Sequence, residues 1–189
     1  MDDNRIPAWV DGRLQPLDKL AVHHRGLRHP AVSVFLEVDG QFLWQQRAAG
    51  KYHSGLLWAN TCCTHAAWGE AALDCAHRRL KEELGIPRVD VTSLGRVEYR
   101  ADVGNGMVEH EVVDVFLART ARRPRLTPNP AEVAATRWAS LDEIDALIAQ
   151  GPERFTAWLK LYLTDHRAEL FGTNAPPRQR PAPSPPPQP

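Results

Sequence analysis

Apolar residues recur at helical spacing between residues 69 and 84, and this segment constrains the fold more than any other. The stripe is spaced at intervals of four, at Ala72, Ala76, Leu80 and Leu84. Such a stripe is typical of a helix that buries one face against another layer of structure. Gly85 follows as a C-terminal cap, and Pro87 prevents the helix from continuing. The chain is therefore expected to pack this helix on a core.

A β-hairpin is expected before this helix. Residues 31–38 are apolar and rich in β-branched side chains, Asp39-Gly40 suits a two-residue turn, and residues 41–47 supply the second strand. Further strands are expected at 90–100, 107–118 and 136–139, and helices after the capping box of Ser140 and Glu143 and at about 153–166. Strands and helices without regular βαβ alternation predict an α+β fold, a mixed β-sheet sandwich flanked by helices.

Proline usage separates a domain from a tail. Eight of the sixteen prolines fall in the last fourteen residues, a composition that cannot build a core. We therefore expect a single domain over residues 1–172 and a disordered proline-rich tail over residues 173–189. A docking peptide for a proline-reading domain is the alternative for the tail.

Charge and hydropathy narrow the possible partners. The 23 basic and 23 acidic residues balance, so the chain has no basic excess that would indicate nucleic-acid binding. No apolar run approaches the roughly 18 residues that a membrane span needs, and the polar start does not resemble a secretory signal. The three cysteines imply no disulfide framework. We expect a cytoplasmic protein without nucleic-acid or membrane partners.

Three carboxylates accompany the stripe helix. Glu82 and Glu83 project about 100° apart, and Glu70 lies about three turns earlier, so all three can border one edge. Clustered carboxylates suit a hard divalent cation that bridges to a diphosphate. Glutamates beside arginines are also typical of a solvated helix face, so the spacing alone leaves both explanations open.

Two short segments carry further acid–base groups. Cys63 and His65 are two residues apart, as are Glu109 and Glu111. Because side chains at i and i+2 of a strand share a face, each pair is expected to point into one cavity. Upstream imidazoles come from His23, His24 and His29. Three histidines and two glutamates suit a six-coordinate divalent ion better than a structural zinc site. Each pair alone also fits an ordinary buried cysteine or the wet face of a strand.

The stripe helix resembles the signature box of the Nudix family. The matching residues are Glu70, Arg78, Leu80, Glu82, Glu83, Gly85 and Ile86. Two positions depart from the box: Thr64 stands where its first glycine belongs, and Arg79 replaces the first glutamate of its Arg-Glu pair. A box altered in this way resembles a Nudix fold that is used for something other than hydrolysis.

Five stretches together resemble the type 1 isopentenyl-diphosphate isomerases of the Nudix superfamily, over about residues 20–160. They are residues 29–35, 46–53, 58–65, 78–85 and 99–111. The resemblance implies a Nudix-like fold, two divalent ions and an enzyme that interconverts isopentenyl diphosphate and dimethylallyl diphosphate for isoprenoid biosynthesis. Thr64, Ala66 and Leu56 stand where this family usually has Gly, Pro and Gly, which leaves the turn around His65 undefined.

The resemblance also implies residue roles. Cys63 and Glu111 match the catalytic pair, and Tyr99 matches the tyrosine that hydrogen-bonds the glutamate. The implied site for a first ion, Mn²⁺, Zn²⁺ or Mg²⁺, consists of His23, His29, His65, Glu109 and Glu111. His24 is the alternative to His23.

The remaining implied roles concern the diphosphate substrate. Arg47 and Lys51 match the basic residues that bind it, and Glu83 matches the ligand of the Mg²⁺ that arrives with it. These three charges are expected on the solvent side, with little packing. Trp158 matches a tryptophan whose ring can stabilise a carbocation, although packing in a helix core is an equal explanation. A small-molecule substrate and a monomer or weak homodimer are expected.

Two other functions remain open at this point. A Nudix pyrophosphohydrolase that cleaves a nucleoside diphosphate derivative with Mg²⁺ would leave the Cys, His and Glu pairs unexplained. A catalytically inert metal-binding or scaffolding module would use the proline-rich tail to contact a partner.

Overall fold

The computed structural model describes residues 4–172, so the proposed tail at 173–189 lies outside the described residues. The chain begins with a β-hairpin and a short helix that the sequence patterns had not indicated: β1 (Arg5–Val10), β2 (Arg13–Asp18) and α1 (Lys19–Arg25). Asp18 caps α1 by accepting the Ala21 N–H at 2.9 Å. Gly26, at φ 58°, ends the helix in the left-handed region.

Seven further strands form one mixed sheet. They are β3 (Arg28–Val38), β4 (Gln41–Arg47), β5 (Trp58–Ala59), β6 (Cys62–Thr64), β7 (Val91–Gly104), β8 (Met107–Arg119) and β9 (Val133–Ala139). The central strand β3 runs parallel to β8 and pairs with β4 only at the hairpin end. Farther along, β3 pairs with β6, while β4 turns away to pair with β5 and β9.

Helices cover both faces of the sheet. They are α2 (Ala72–Leu84), α3 (Leu141–Gln150), α4 (Ala157–Thr164) and α5 (Arg167–Phe171). The apolar stripe of α2 packs on one face, against Val32, Val34 and Leu36 of β3. Helices α3 to α5 pack on the other face, where Ala31 and Phe35 of β3 point. The fold is thus the expected α+β sandwich, and no helix within residues 4–172 is long and apolar enough to cross a membrane.

Several sequence predictions are confirmed. The hairpin of β3 and β4 turns at Asp39 and Gly40, whose φ angles of 51° and 76° are the positive values of a primed turn. Ser140 and Glu143 form the expected capping box at the start of α3. The stripe helix begins at Ala72 rather than at residue 69.

The helix expected at 153–166 is only partly correct. A single 3-10 turn covers Pro152–Arg154, and α4 begins at Ala157. The segment between them is extended because it pairs with β5: Phe155 forms a bridge to Trp58, and the Thr156 N–H donates to the Trp58 carbonyl at 3.0 Å. Burial of Phe155 in the core therefore outweighs the helical pattern.

Candidate active site

Strand register brings three of the expected site residues into one row. His29 on β3 lies opposite Glu111 on β8, and Glu111 lies opposite Tyr99 on β7. Residues that lie opposite one another on neighbouring strands project to the same face. Glu109 follows the same alternation and joins them. The polar row therefore continues the sheet face that α3 to α5 cover.

The Tyr99 hydroxyl joins the two carboxylates. It lies 2.6 Å from Glu111 Oε2 and 3.0 Å from Glu109 Oε2. The hydroxyl has one proton and donates it to the nearer carboxylate, so a neutral Glu109 is the partner that can donate back. Burial, followed by the charge of Glu111, raises the pKa of Glu109. Burial alone would raise the pKa of Glu111. Hydrogen bonds and charge from His29 and His65 outweigh burial and hold this pKa below the ordinary value.

Two histidines are fixed with one nitrogen facing the carboxylates. Nδ1 of His23 lies 2.7 Å from the Lys19 carbonyl, and Nδ1 of His29 lies 2.7 Å from the Leu27 carbonyl. A carbonyl can only accept, so each Nδ1 carries the proton and each Nε2 carries a lone pair. Metal-binding histidines have this arrangement, because the backbone bond sets the tautomer.

His65 completes the cluster from the end of β6. Its Nε2 lies 3.0 Å from Glu111 Oε1 and 3.1 Å from His29 Nε2. Burial lowers the pKa of His65 to about 3 and that of His23 to about 4, so both imidazoles are neutral near pH 7. Neutral imidazoles and a carboxylate are the donors that a divalent cation needs.

The donor atoms form two overlapping groups within the described residues. One contains His23, His29, His65 and Glu111, and the other contains His23, His53 and Glu109. His24 belongs to neither group and is exposed. His53 had no expected role, although its segment carried part of the family likeness, because nothing in its spacing links it to the other histidines.

Cys63 lies on the same side of the sheet as the glutamates. It pairs with Ser33 of β3, and its Sγ lies 3.3 Å from Ser33 Oγ and 2.8 Å from Asn60 Oδ1. Burial raises the pKa of the Cys63 thiol, so it is protonated near pH 7. The neighbouring Cys62 points to the opposite face, into the core under α2. Adjacent cysteines thus have different surroundings, as strand alternation requires.

The expected phosphate-binding residues converge on the same cavity but are not solvent-side charges. Arg47 is 5% exposed and Glu83 is 3% exposed, so that expectation is wrong for both. A register shift between Gln46 and Arg47 interrupts the pairing of β4 with β9 at this point. Such a bulge re-aims the side chain, and the Arg47 guanidinium lies 5.3 Å from the centre of the buried Trp158 ring. Lys51 is partly buried and pairs with Glu132.

Two basic residues that the motifs had not indicated also line this cavity: Arg79 and Lys19. Arg79 contacts Glu83 at 2.7 Å and Glu132 at 3.1 Å. Burial alone would lower the pKa of Arg79, but the charges of these carboxylates raise it. The pKa of Lys19 falls to about 8 because of burial and the nearby charges of Lys51 and Arg47. Arg79 was visible in the sequence only as a departure from the box.

The other two carboxylates of the Nudix-like box, Glu70 and Glu82, are paired with arginines. Glu70 accepts from Arg78 Nε at 2.6 Å and from Arg78 Nη2 at 2.7 Å. Glu82 accepts from Arg78 at 3.0 Å and from Arg79 at 2.9 Å. Among residues 4–172, the box carboxylates form no group of three close metal-binding donors. The expected open carboxylate edge is therefore replaced by ion pairs, and both Glu82 and the buried Glu83 pair with the cavity residue Arg79.

A second, larger cavity of about 520 Å³ lies between the β1–β2 hairpin and residues 66–72. Its walls are mainly apolar and contain no histidine, cysteine or basic residue. The smaller cavity is lined by Cys63, by His53 and His65, by the two glutamates and by the basic residues, so acid–base chemistry on an anionic substrate belongs there. Cavity size is the weaker criterion here because proton transfer depends on the groups within reach.

Comparison of the sequence with known proteins finds a matching family and similar proteins. A profile of the NUDIX domain family matches residues 27–159. The chain is 56% identical over 167 residues to a Cereibacter sphaeroides protein named Isopentenyl-diphosphate Delta-isomerase, covering 88% of this chain and 94% of that relative. A Dinoroseobacter shibae protein of the same name is 53% identical over 170 residues, covering 90% of this chain and 97% of the relative.

A solved structure supports the fold independently. A Deinococcus radiodurans protein superimposes with a TM-score of 0.67 at 15% identity, covering 88% of this chain and 99% of that one. At so low an identity the likeness concerns the fold alone. The β-sheet and its flanking helices are therefore shared well beyond the close relatives.

Proposed function

Because this chain belongs to the NUDIX family and, within it, to the isopentenyl-diphosphate Delta-isomerases, we propose a residue-level mechanism for that reaction. The enzyme is an isomerase that interconverts isopentenyl diphosphate and dimethylallyl diphosphate and so supplies isoprenoid biosynthesis. The observation that carries the mechanism is that Cys63 and Glu111 line one cavity together with basic residues.

The reaction requires two acid–base groups. An unactivated alkene is a very weak base, so protonating it creates a tertiary carbocation at C3 of the substrate. A proton must then leave C2 before water or the diphosphate captures the cation. We assign the two transfers to Cys63 and Glu111, one on each side of the carbon skeleton. Because the reaction is reversible, each group donates in one direction and accepts in the other.

Tyr99 and Trp158 support these transfers. Tyr99 holds Glu111 through the 2.6 Å contact and keeps its carboxyl group oriented. Trp158 is 2% exposed and lines the cavity, where its ring can stabilise a nearby cation by about 2 kcal/mol when water is excluded. Its packing among helix and sheet residues also fixes the ring position.

A divalent ion fits the buried donors. His23, His29, His65, Glu109 and Glu111 would hold it, and the fixed Nδ1 protons of His23 and His29 leave lone pairs toward the carboxylates. When bound, the cation favours the charged form of the carboxylates and so tunes the acidity of Glu111. The donor set accepts Mn²⁺, Zn²⁺ or Mg²⁺.

The basic residues bind the diphosphate. Arg47 and Lys51 take this role, and we add Arg79 and Lys19 because both line the same cavity. Glu83 contributes a carboxylate to the Mg²⁺ that accompanies the diphosphate, a hard cation that prefers oxygen ligands. Glu132 sits between Lys51 and Arg79 and limits their mutual repulsion.

The wider setting of the enzyme is also part of the proposal. A single domain over residues 1–172 acts in the cytoplasm as a monomer or weak homodimer, without nucleic-acid or membrane partners. The balanced charge of the chain supports the absence of nucleic acid.

Incubation with isopentenyl diphosphate and Mg²⁺ in deuterated water tests the function. We expect dimethylallyl diphosphate that carries deuterium, because the proton added to the alkene comes from an exchangeable group. Release of inorganic phosphate instead would favour a pyrophosphohydrolase. No turnover of any diphosphate would favour an inert metal-binding module.

A further inference from the structure

We propose that His53 is a further ligand of the ion in the histidine and glutamate cluster, so that four imidazoles and two carboxylates hold one metal. The inference rests on the proposed function, which places a metal there. It adds a residue to which neither the motifs nor the family likeness assigned a role. His53 lies on the loop between β4 and β5, which also carries Lys51.

The loop holds the His53 ring firmly. The side chain is 1% exposed, and its Nδ1 lies 3.1 Å from Ser54 Oγ. The His53 carbonyl accepts from Arg47 Nη2 at 3.2 Å, which fixes the backbone. The ring centre lies 5.6 Å from that of His23 and 6.0 Å from that of Trp158. These contacts place Nε2 among the buried donors.

That Nε2 is buried without a hydrogen-bond partner. It lies 3.2 Å from Glu109 Oε1, but the two atoms make no hydrogen bond. Leaving a buried polar atom unsatisfied is unfavourable, so native proteins generally supply a partner. A metal ion shared with Glu109 would satisfy both atoms at once.

Two donor pairs have the separation expected of neighbouring ligands of one ion. With metal–ligand bonds of about 2.1 Å, neighbouring donors of an octahedral ion are about 3.0 Å apart. The separation is 3.0 Å between His65 Nε2 and Glu111 Oε1 and 3.2 Å between His53 Nε2 and Glu109 Oε1. Both pairs thus have the spacing of adjacent ligands.

A shared histidine makes the two donor groups halves of a single site. His23 belongs to both groups, but its Nδ1 proton is bonded to the Lys19 carbonyl. The lone pair is therefore on Nε2, which the Tyr52 hydroxyl approaches at 3.3 Å, and one lone pair can bind only one ion. Two separate ions would therefore compete for His23. The six donors do not all lie within 4.8 Å of one another, so a single ion would draw the two groups together around the shared His23: His23, His29, His53, His65, Glu109 and Glu111.

Counting the nitrogens bound to Mn²⁺ tests this proposal. The full-length protein, stripped of metal and loaded with Mn²⁺ alone, is measured by pulsed electron paramagnetic resonance, which detects directly bound imidazole nitrogens. We expect four in the unmodified protein and three in His53→Ala. A chelator competition should show at least about tenfold weaker Mn²⁺ binding in His53→Ala. The matched control His24→Ala, at an exposed histidine outside both groups, should keep four nitrogens and the parent affinity.

Three nitrogens in the unmodified protein would overturn the proposal. This result does not depend on whether any variant folds. Four nitrogens in both the unmodified protein and His53→Ala would also overturn it, as would the lack of a tightly bound ion. The isomerase assay on the same Mn²⁺-loaded sample separates the two claims. Deuterium incorporation with a count of three refutes only the role of His53, whereas four nitrogens without any isomerisation refute the proposed function.

Discussion

The two ends of the cavity, which the proposed mechanism makes a metal end and a diphosphate end, are built from different kinds of structure. At the metal end, the row of His29, Glu111 and Tyr99 comes from three paired strands, and backbone hydrogen bonds fix their register. At the diphosphate end, a β-bulge positions Arg47, a loop carries Lys51 and helix α2 carries Arg79. Ion pairs with Glu83 and Glu132 hold these cations instead of a strand ladder.

In the proposed mechanism, this difference separates two tasks of the enzyme. Proton transfer to carbon requires donors at fixed positions. Paired strands supply such donors because their register leaves the side chains little conformational freedom. Binding a diphosphate requires positive charge that is paired before the substrate arrives. The carboxylates at the diphosphate end serve that purpose, because closely spaced cations would otherwise repel one another. We therefore expect substitutions at the metal end to act on turnover and those at the diphosphate end to act on substrate binding.

The largest effect should follow removal of the acid–base pair. Cys63→Ala and Glu111→Gln are each expected to lower kcat by at least about 10²–10⁴-fold, the usual contribution of a general acid or base. Cys62→Ala is the matched control: its side chain points into the core under α2, so it should lower the melting temperature but keep kcat. Steady-state kinetics with circular dichroism measures both. A Cys63→Ala variant with parental kcat would refute the assignment.

A smaller effect, mainly on KM, should follow removal of a cation at the other end. Arg79→Ala removes a charged contact worth roughly 1.5–3 kcal/mol, so KM should rise about ten- to a hundredfold. Arg78→Ala is the control, because Arg78 pairs with Glu70 and Glu82 and does not line the cavity. If the two variants give equal KM values, Arg79 does not bind the diphosphate.

Acid should destabilise the metal-free protein through the metal end. Burial lowers the pKa of His23, His65 and His53 to about 4, 3 and 2, against 6.5 in the unfolded chain. As pH falls below 6.5, the unfolded state therefore binds protons that the folded state does not, and stability is lost. The raised pKa of Glu109 changes stability in the opposite direction, but Glu109 is one group and the histidines are three.

Urea unfolding in the presence of a chelator tests this pH dependence. The free energy of unfolding should fall from pH 7 to pH 5 by up to about 1.4 kcal/mol per pH unit for each histidine. In His65→Ala the slope should be shallower, because one of the three groups is gone. A pH-independent free energy over this range would show that the cluster does not exclude protons.

The smallest effect is expected from removing the proline-rich tail. Truncation after Thr173 should leave kcat/KM and the melting temperature nearly unchanged, because a proline-rich composition offers few groups for burial. Activity assays and calorimetry on the shortened chain check this. A loss of several degrees would indicate that the tail contributes to the domain.

Much of the metal end was readable from the sequence. Alternation on a strand predicted that Glu109 and Glu111 share a face, and both lie at the Tyr99 hydroxyl. The same rule explains why Cys62 and Cys63 point to opposite faces. The position of the helix with the carboxylates followed from its apolar stripe and from Gly85, which adopts φ 69° at its end. Hydrophobic periodicity and helix capping are properties of the local sequence, so both can be recognised without knowledge of the fold.

Tertiary structure alone decided the rest. No local pattern showed that His53 would face Glu109, that Arg79 would enter the cavity or that Arg47 would be buried over Trp158. Each of these contacts joins segments far apart in sequence, through a loop, a helix face or a bulge whose direction depends on how the sheet packs. The sequence by itself determined which residue types stand at each strand and helix position. Packing determined which of them meet, because contacts between distant segments depend on the register and on the paths of the connecting loops.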